Sequence, residues 1–186
     1  MAMTMTGEVD LPAGRQVVWD ALNDPEVLKA CIPGCQSLEK VGENSLQAVA
    51  KVKVGPVAAT FKGKVDLLDL DPPNGYRISG EGEGGVAGFA KGGATVKLSD
   101  IPDGTKLSYD VEAHVGGKLA QLGARLIDGV AKKMADQFFS DFAAAVASQQ
   151  GAAPAAAEPA AVAPTQQEKP RGWLQRLIAW FLDLWR

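Results

Sequence analysis

Between residues 36 and 115 apolar and polar side chains alternate one by one, in segments cut by turn-forming residues at Gly42 to Asn44, Gly55-Pro56, Pro72 to Gly75, Gly84-Gly85 and Pro102 to Gly104. A period of two sends alternate side chains to opposite faces of a strand, and strands joined by such short turns pair as antiparallel neighbours. The pattern predicts a meander of about six strands. "SLQAVAKVKV" carries Leu46, Ala48, Ala50, Val52 and Val54 on one face and Gln47, Lys51 and Lys53 on the other. "VAATFKGKVDL" repeats this with Val57, Ala59, Phe61, Val65 and Leu67, and "KLSYDVEAHV" with Leu107, Tyr109, Val111, Ala113 and Val115. Such a sheet is dry on one side and wet on the other.

The flanking segments supply what covers the dry side. "MTMTGEVDL" alternates Met3, Met5, Gly7, Val9 and Leu11 with polar residues, a further strand ahead of the meander. Val17, Val18, Ala21 and Leu22 stand at helical spacing, and a second short helix opens with Asp24 as cap and Pro25 in its first turn, then stops at Pro33-Gly34. After Gly116-Gly117, the residues Leu119, Leu122, Leu126, Val130, Met134, Phe138, Phe142 and Val146 recur every three or four positions. They predict one helix to about Ala147, roughly 45 Å long. The expected fold is α+β: a curved antiparallel sheet of about seven strands wrapped around a long C-terminal helix, over residues 1–147.

Several side chains expected on the dry face are small: Ala48, Ala50, Ala59, Gly80, Gly82 and Ala113, with Gly123 on the helix. Two readings are open. Small residues facing one another leave apolar space for a hydrophobic ligand, or they let helix and sheet pack closely.

Composition changes after Ala147. Residues 148–170, "SQQGAAPAAAEPAAVAPTQQEKP", hold no large apolar side chain, so they read as a linker that reaches at most roughly 60 to 70 Å. Residues 171–186 close the sequence with three of its four tryptophans. Drawn as a helix, Trp173, Leu174, Leu177, Ile178, Trp180, Phe181, Leu182, Leu184 and Trp185 cover an arc of roughly 200°. At about 21 Å such a helix is short of the roughly 30 Å hydrocarbon core of a bilayer, so it is expected to lie in the interface rather than to span. Lys169, Arg171, Arg176 and Arg186 against Glu168 and Asp183 give this end a positive charge in a chain of net charge -3, which suits an anionic leaflet. A groove on a partner protein, or the mouth of the chain's own domain, is the competing use of the same face.

Other chemistry is thin. A net charge of -3 and no basic cluster with interleaved aromatics speak against nucleic acid as a partner. The start, "MAMTMTGEVDLPAG", lacks the basic flank and apolar run of a secretory signal, so a cytoplasmic setting is expected. "CIPGC" spaces Cys31 and Cys35 for neither a zinc pair nor a redox CxxC, so structural thiols are expected. Gly80, Gly82 and Gly85 fit GxGxxG literally, but a strand is expected after them where a dinucleotide site needs a helix, and Glu81 and Glu83 would repel phosphate. His114, the sole histidine, falls on the wet face. With no nucleophile and base in a recognisable pattern, neither catalysis nor a metal site is expected.

The segments "LNDPEVLKACIPGC", "VGPVAATFKGKV", "LDPPNGYRISGEGEGGVAGFAKGGA" and "GGKLAQLGARLIDGVAKKMADQFF" resemble the carbon monoxide dehydrogenase G-subunit (CoxG) family, over about residues 3–145. The resemblance implies the START-like helix-grip fold, with an apolar cavity between sheet and helix and the "CIPGC" and "GFAKGG" segments at its rim. It further implies an accessory protein that brings a molybdenum hydroxylase of the carbon monoxide dehydrogenase type to the cytoplasmic membrane. On that reading the protein is peripheral on the cytoplasmic face. The ligand expected is lipophilic, with a respiratory quinone as first candidate, since a soluble oxidase must pass electrons to a carrier dissolved in the bilayer. Phe61, Tyr76, Phe89, Tyr109, Leu119, Leu122 and Leu126 are its expected contacts, and no covalently bound cofactor is expected. Arg171, Trp173, Leu174, Arg176, Leu177, Ile178, Trp180, Phe181, Leu184 and Trp185 are the expected membrane contacts. A purely structural tether and a small START-like cyclase or hydrolase are the alternatives, the latter resting on Tyr76, Tyr109 or Lys91.

Overall fold

Every period-two segment forms a strand, and every expected turn falls between two of them. The computed structural model describes residues 1–151, which run β1 (Ala2–Leu11), α1 (Arg15–Leu22), α2 (Pro25–Cys31), β2 (Cys35–Lys40), β3 (Ser45–Val54), β4 (Val57–Asp71), β5 (Gly75–Glu83), β6 (Phe89–Ile101), β7 (Gly104–Gly116), α3 (Lys118–Gln121) and α4 (Ala124–Gly151). The seven strands make one antiparallel sheet in the order β1-β7-β6-β5-β4-β3-β2. Chain neighbours pair throughout the meander, while α1 and α2 carry the chain from the β1 edge to the β2 edge. This is the expected helix-grip architecture.

Local chemistry explains the short helices. The Glu26 N–H donates to Asp24 Oδ1 (2.9 Å), which satisfies a free amide at the start of α2, and Pro25 occupies its first turn. At the end of β1 the fully buried Thr105 donates its hydroxyl to the Ala13 carbonyl (2.8 Å), fastening the bend into α1 to the start of β7.

The last helical segment differs from expectation. One helix from Gly117 onward becomes two, because Gly123 adopts φ +87 and separates α3 from α4. Left-handed backbone ends a helix, and glycine takes it without steric cost. Gly123 is exposed with open space beside it, so it does not contribute to the dry interior as expected. α4 runs on to Gly151 and packs on α1, α2, β1 and β3. It therefore rests on strands toward the two flanks of the sheet and bridges its middle. Among the described residues no helix is long and apolar enough to cross a membrane. The linker from residue 152 onward and the membrane contacts Arg171, Trp173, Leu174, Arg176, Leu177, Ile178, Trp180, Phe181, Leu184 and Trp185 lie outside the described residues.

Candidate functional site

The middle of the sheet, beneath α4, is paved with small side chains. Register sets Ala113, Gly92, Gly80 and Val65 side by side on β7, β6, β5 and β4. One step toward α3 stand Val115, Ala90, Gly82, Gly63 and Ala48, and one step toward α1 stand Val111, Ala94, Ile78 and Leu67. Adjacent strands lie roughly 4.8 Å apart, so a row of alanine and glycine leaves a trough that nothing from the sheet itself fills. An open trough of about 330 Å³ occupies it, lined by residues of β4, β5, β6 and β7 alone, among them Val65, Ile78, Ala90, Ala94, Val111 and Ala113. These wall residues are half-buried, whereas the cores on either side are buried. Of the two readings of the small residues, unfilled apolar space is the one the geometry matches.

Two separate cores flank the trough. Toward α1 and α2, Trp19, Tyr76, Val96, Leu98, Leu107, Phe142 and Val146 pack together, with Tyr109, Phe138 and Phe139 against them. Tyr76 meets Trp19 edge-on (5.5 Å), Tyr109 stacks on Phe139 (5.1 Å), and Phe138 stacks on Phe142 (5.6 Å). Toward α3, Val54, Val115, Leu119 and Ile127 form a second core, joined by Phe61, Ala90, Leu122 and Val130.

The seven expected ligand contacts thus fall into three groups. Tyr76 and Tyr109 belong to the first core, on either side of Val96, and neither lines the trough: Tyr76 is buried against Trp19, and the Tyr109 ring lies over Gly7 of β1. Phe61, Leu119 and Leu122 belong to the second core, at the α3 end. Phe89 and Leu126 join neither. Phe89 is exposed, with its ring laid over Gly116 on the convex side, since Ala90, Gly92, Ala94 and Val96 take the inward positions of β6. Leu126 is exposed on the first turn of α4, touching Gly55 of the β3–β4 turn. Aromatic and leucine side chains fill space, so they mark the ends of the trough, while its floor and walls are the small and β-branched residues between them. Counting inward positions back from Val96 and Leu98 identifies Ala90, Gly92 and Ala94 and turns Phe89 outward.

The shifted titrating groups near the site belong to the flanking core and the α2–β2 turn. Burial pushes the Tyr76 phenol well above its ordinary value, so it stays neutral. Burial likewise raises the Cys31 thiol, with the Asp141 carboxylate adding to the effect, and Cys35 is raised mainly by burial. Neither cysteine is disulfide-bonded; Cys31 is part of the first core, and the "CIPGC" turn lies between α2 and β2 rather than on the trough. Lys91 and His114 face each other in register and are both exposed. Among the described residues no group of three or more His, Cys, Asp and Glu is placed to hold a metal. The Gly80-to-Gly85 run closes β5 and passes through a single 3-10 turn into β6, without the helix a dinucleotide site requires. Larger depressions, of about 540 Å³, lie on the convex face, but Lys62, Lys64, Glu81 and Glu83 around them make that surface charged and wet.

Residues 7–147 match the family model of CoxG, the carbon monoxide dehydrogenase G-subunit. A conserved protein from Geobacillus kaustophilus has a similar crystal structure (TM-score 0.75, 34% identity, 79% of this chain and 97% of that one). The fold also resembles Zhui aromatase/cyclase from Streptomyces sp. R1128 (TM-score 0.59, 13% identity, 80% and 96%) and Ara h 8.0201 (TM-score 0.57, 18% identity, 80% and 99%). No curated protein matches the chain significantly.

Proposed function

We propose, for a chain that belongs to the carbon monoxide dehydrogenase G-subunit (CoxG) family, an accessory role without catalysis of its own: it binds a lipophilic molecule, a respiratory quinone, in the trough beneath α4, and brings a molybdenum hydroxylase of the carbon monoxide dehydrogenase type to the cytoplasmic membrane. The observation that carries the ligand part is the half-buried apolar trough of about 330 Å³. The trough is open to water, and a guest that covers its walls gains roughly 25 cal/mol for each Å² of apolar surface removed from water. Water gains little from walls of Val65, Ile78, Ala94 and Val111, so an apolar guest is the natural occupant. The volume is near the lower end of the roughly 300–1,000 Å³ usual for small-molecule sites, which suits a ring system whose tail extends outside.

The chain's own residues would hold such a ring by shape, on the Gly80–Gly92–Ala113 floor. The membrane part is supported by the amphipathic character of residues 171–186 and the linker before them. Native mass spectrometry of the purified full-length protein, with organic extraction, tests the ligand: a bound isoprenoid quinone is expected. Protein that is empty and takes up no quinone in titration would reduce the role to a structural tether. The cyclase alternative predicts an essential hydroxyl, so turnover lost on Tyr76→Phe or Tyr109→Phe would replace the present reading.

A further inference from the structure

We infer that the α3 end of the domain is itself a lipid-contacting surface, which seats on an anionic leaflet through Val86, Phe89 and Leu126. Exposed apolar side chains are ordinary when scattered, and Val41 and Leu68 are of that kind. These three stand on segments that adjoin α3. Val86 is 84% exposed, the most of any large apolar residue among those described, with Phe89 at 44% and Leu126 at 39%. Val86 tips the Gly85–Ala87 turn, which contacts α3. Phe89 covers Gly116 just before α3, and Leu126 lies just after it, against the β3–β4 turn.

The tip is also held in place. The Gly84 N–H donates to the Gly88 carbonyl (2.8 Å), closing the loop below Val86. Gly88, at φ +115, lies so close to Gly116 and Gly117 that a Cβ there would fall 2.1 Å from the Gly116 carbonyl oxygen. A backbone packed this tightly presents Val86 to solvent as a fixed projection, without the ordering cost that a free loop would meet on insertion. Charge selects the occupant. Lys53, Lys118 and Arg125 border the same end and are exposed, against the two carboxylates Glu83 and Asp128 on the adjoining segments, in a chain whose net charge is -3. A local excess of cations around apolar projections in an acidic protein fits an anionic lipid surface. Ala90 lines both the trough and the core at this end, so lipid contact here would put the bilayer beside the trough.

The inference shares the membrane setting of the proposed function but not its ligand, so vesicles without quinone suffice to test it. Hydrogen exchange on the full chain is compared with and without phosphatidylglycerol/phosphatidylethanolamine vesicles, and with phosphatidylcholine alone. Slowed exchange over residues 84–89 and 117–126 on the anionic vesicles is expected. Val86→Asp should remove the protection over 117–126 as well, and should weaken that contact on the order of tenfold, with its far-UV spectrum unchanged. Unaltered exchange in both segments while the chain still pellets with vesicles would overturn the inference and leave tail-mediated attachment standing. No pelleting at all would overturn both. Protection that arises only with a hydroxylase of the carbon monoxide dehydrogenase type would make this end a protein interface and overturn the lipid assignment.

Discussion

Gly80→Leu tests the trough directly. A Cβ built at Gly80 meets the Lys64 carbonyl oxygen and a Val65 methyl at 3.4 Å, ordinary van der Waals contact, and beyond it lies the cavity. Glycine inside a strand costs roughly 0.5–1 kcal/mol relative to alanine, and half-burying a leucine side chain is worth about 1 kcal/mol. The variant should therefore be more stable by about 1.5 kcal/mol, a rise in Tm of about 3–6 °C for a domain of this size. The leucine occupies the floor on which a ring would lie, so quinone affinity should fall at least about tenfold, which is about 1.4 kcal/mol. Scanning calorimetry and calorimetric titration of the same samples measure both. Gly92→Ala is the contrasting variant: its Cβ would fall 2.1 Å from the Glu112 carbonyl oxygen and 2.7 Å from the Ala113 Cα, backbone that cannot swing away. It should lower Tm despite adding only one methyl group. A Gly80→Leu protein that melts several degrees lower than wild type would mean that the space is already filled. Unchanged quinone affinity would mean that the ligand lies elsewhere.

Three further outcomes follow from the cores. Phe142→Ala removes a fully buried ring stacked on Phe138 and should cost about 3–5 kcal/mol in urea unfolding. Thr105→Val keeps shape but leaves the Ala13 carbonyl without its 2.8 Å donor, a loss of about 1–3 kcal/mol by the same measurement. Tyr76 sets a pH dependence, because burial raises its folded-state pKa above the unfolded value of about 10. Below that pH both states keep the proton and the stability is fully present. As pH rises above it, the unfolded chain ionises first, and stability falls by up to about 1.4 kcal/mol per pH unit. Tyr76→Phe should remove that part of the alkaline slope, read as the difference between the two proteins' stability curves above pH 10.

The order of elements was legible from residue 3 onward because turn chemistry and period two are local properties. Gly55-Pro56 and Pro102 to Gly104 break the alternation wherever the chain reverses, and Asp24 with Pro25 marks the start of α2 without reference to anything distant. The inward faces were legible for the same reason. What followed from local pattern less well was the end of an element whose partner lies far away in sequence: Leu119, Leu122 and Leu126 keep helical spacing across Gly123, yet the backbone turns there and leaves Leu126 exposed.

The sequence by itself determined which side chains face inward, since alternation along each strand decides that residue by residue. Only the tertiary structure decided which of them meet. Antiparallel register sets Gly80, Gly92 and Ala113 in one row although they are far apart in the chain, and the aromatic side chains of α4 pack to one end of that row rather than over it. The hollow is therefore a property of pairing distances between strands and helix, a quantity that no single stretch of sequence contains.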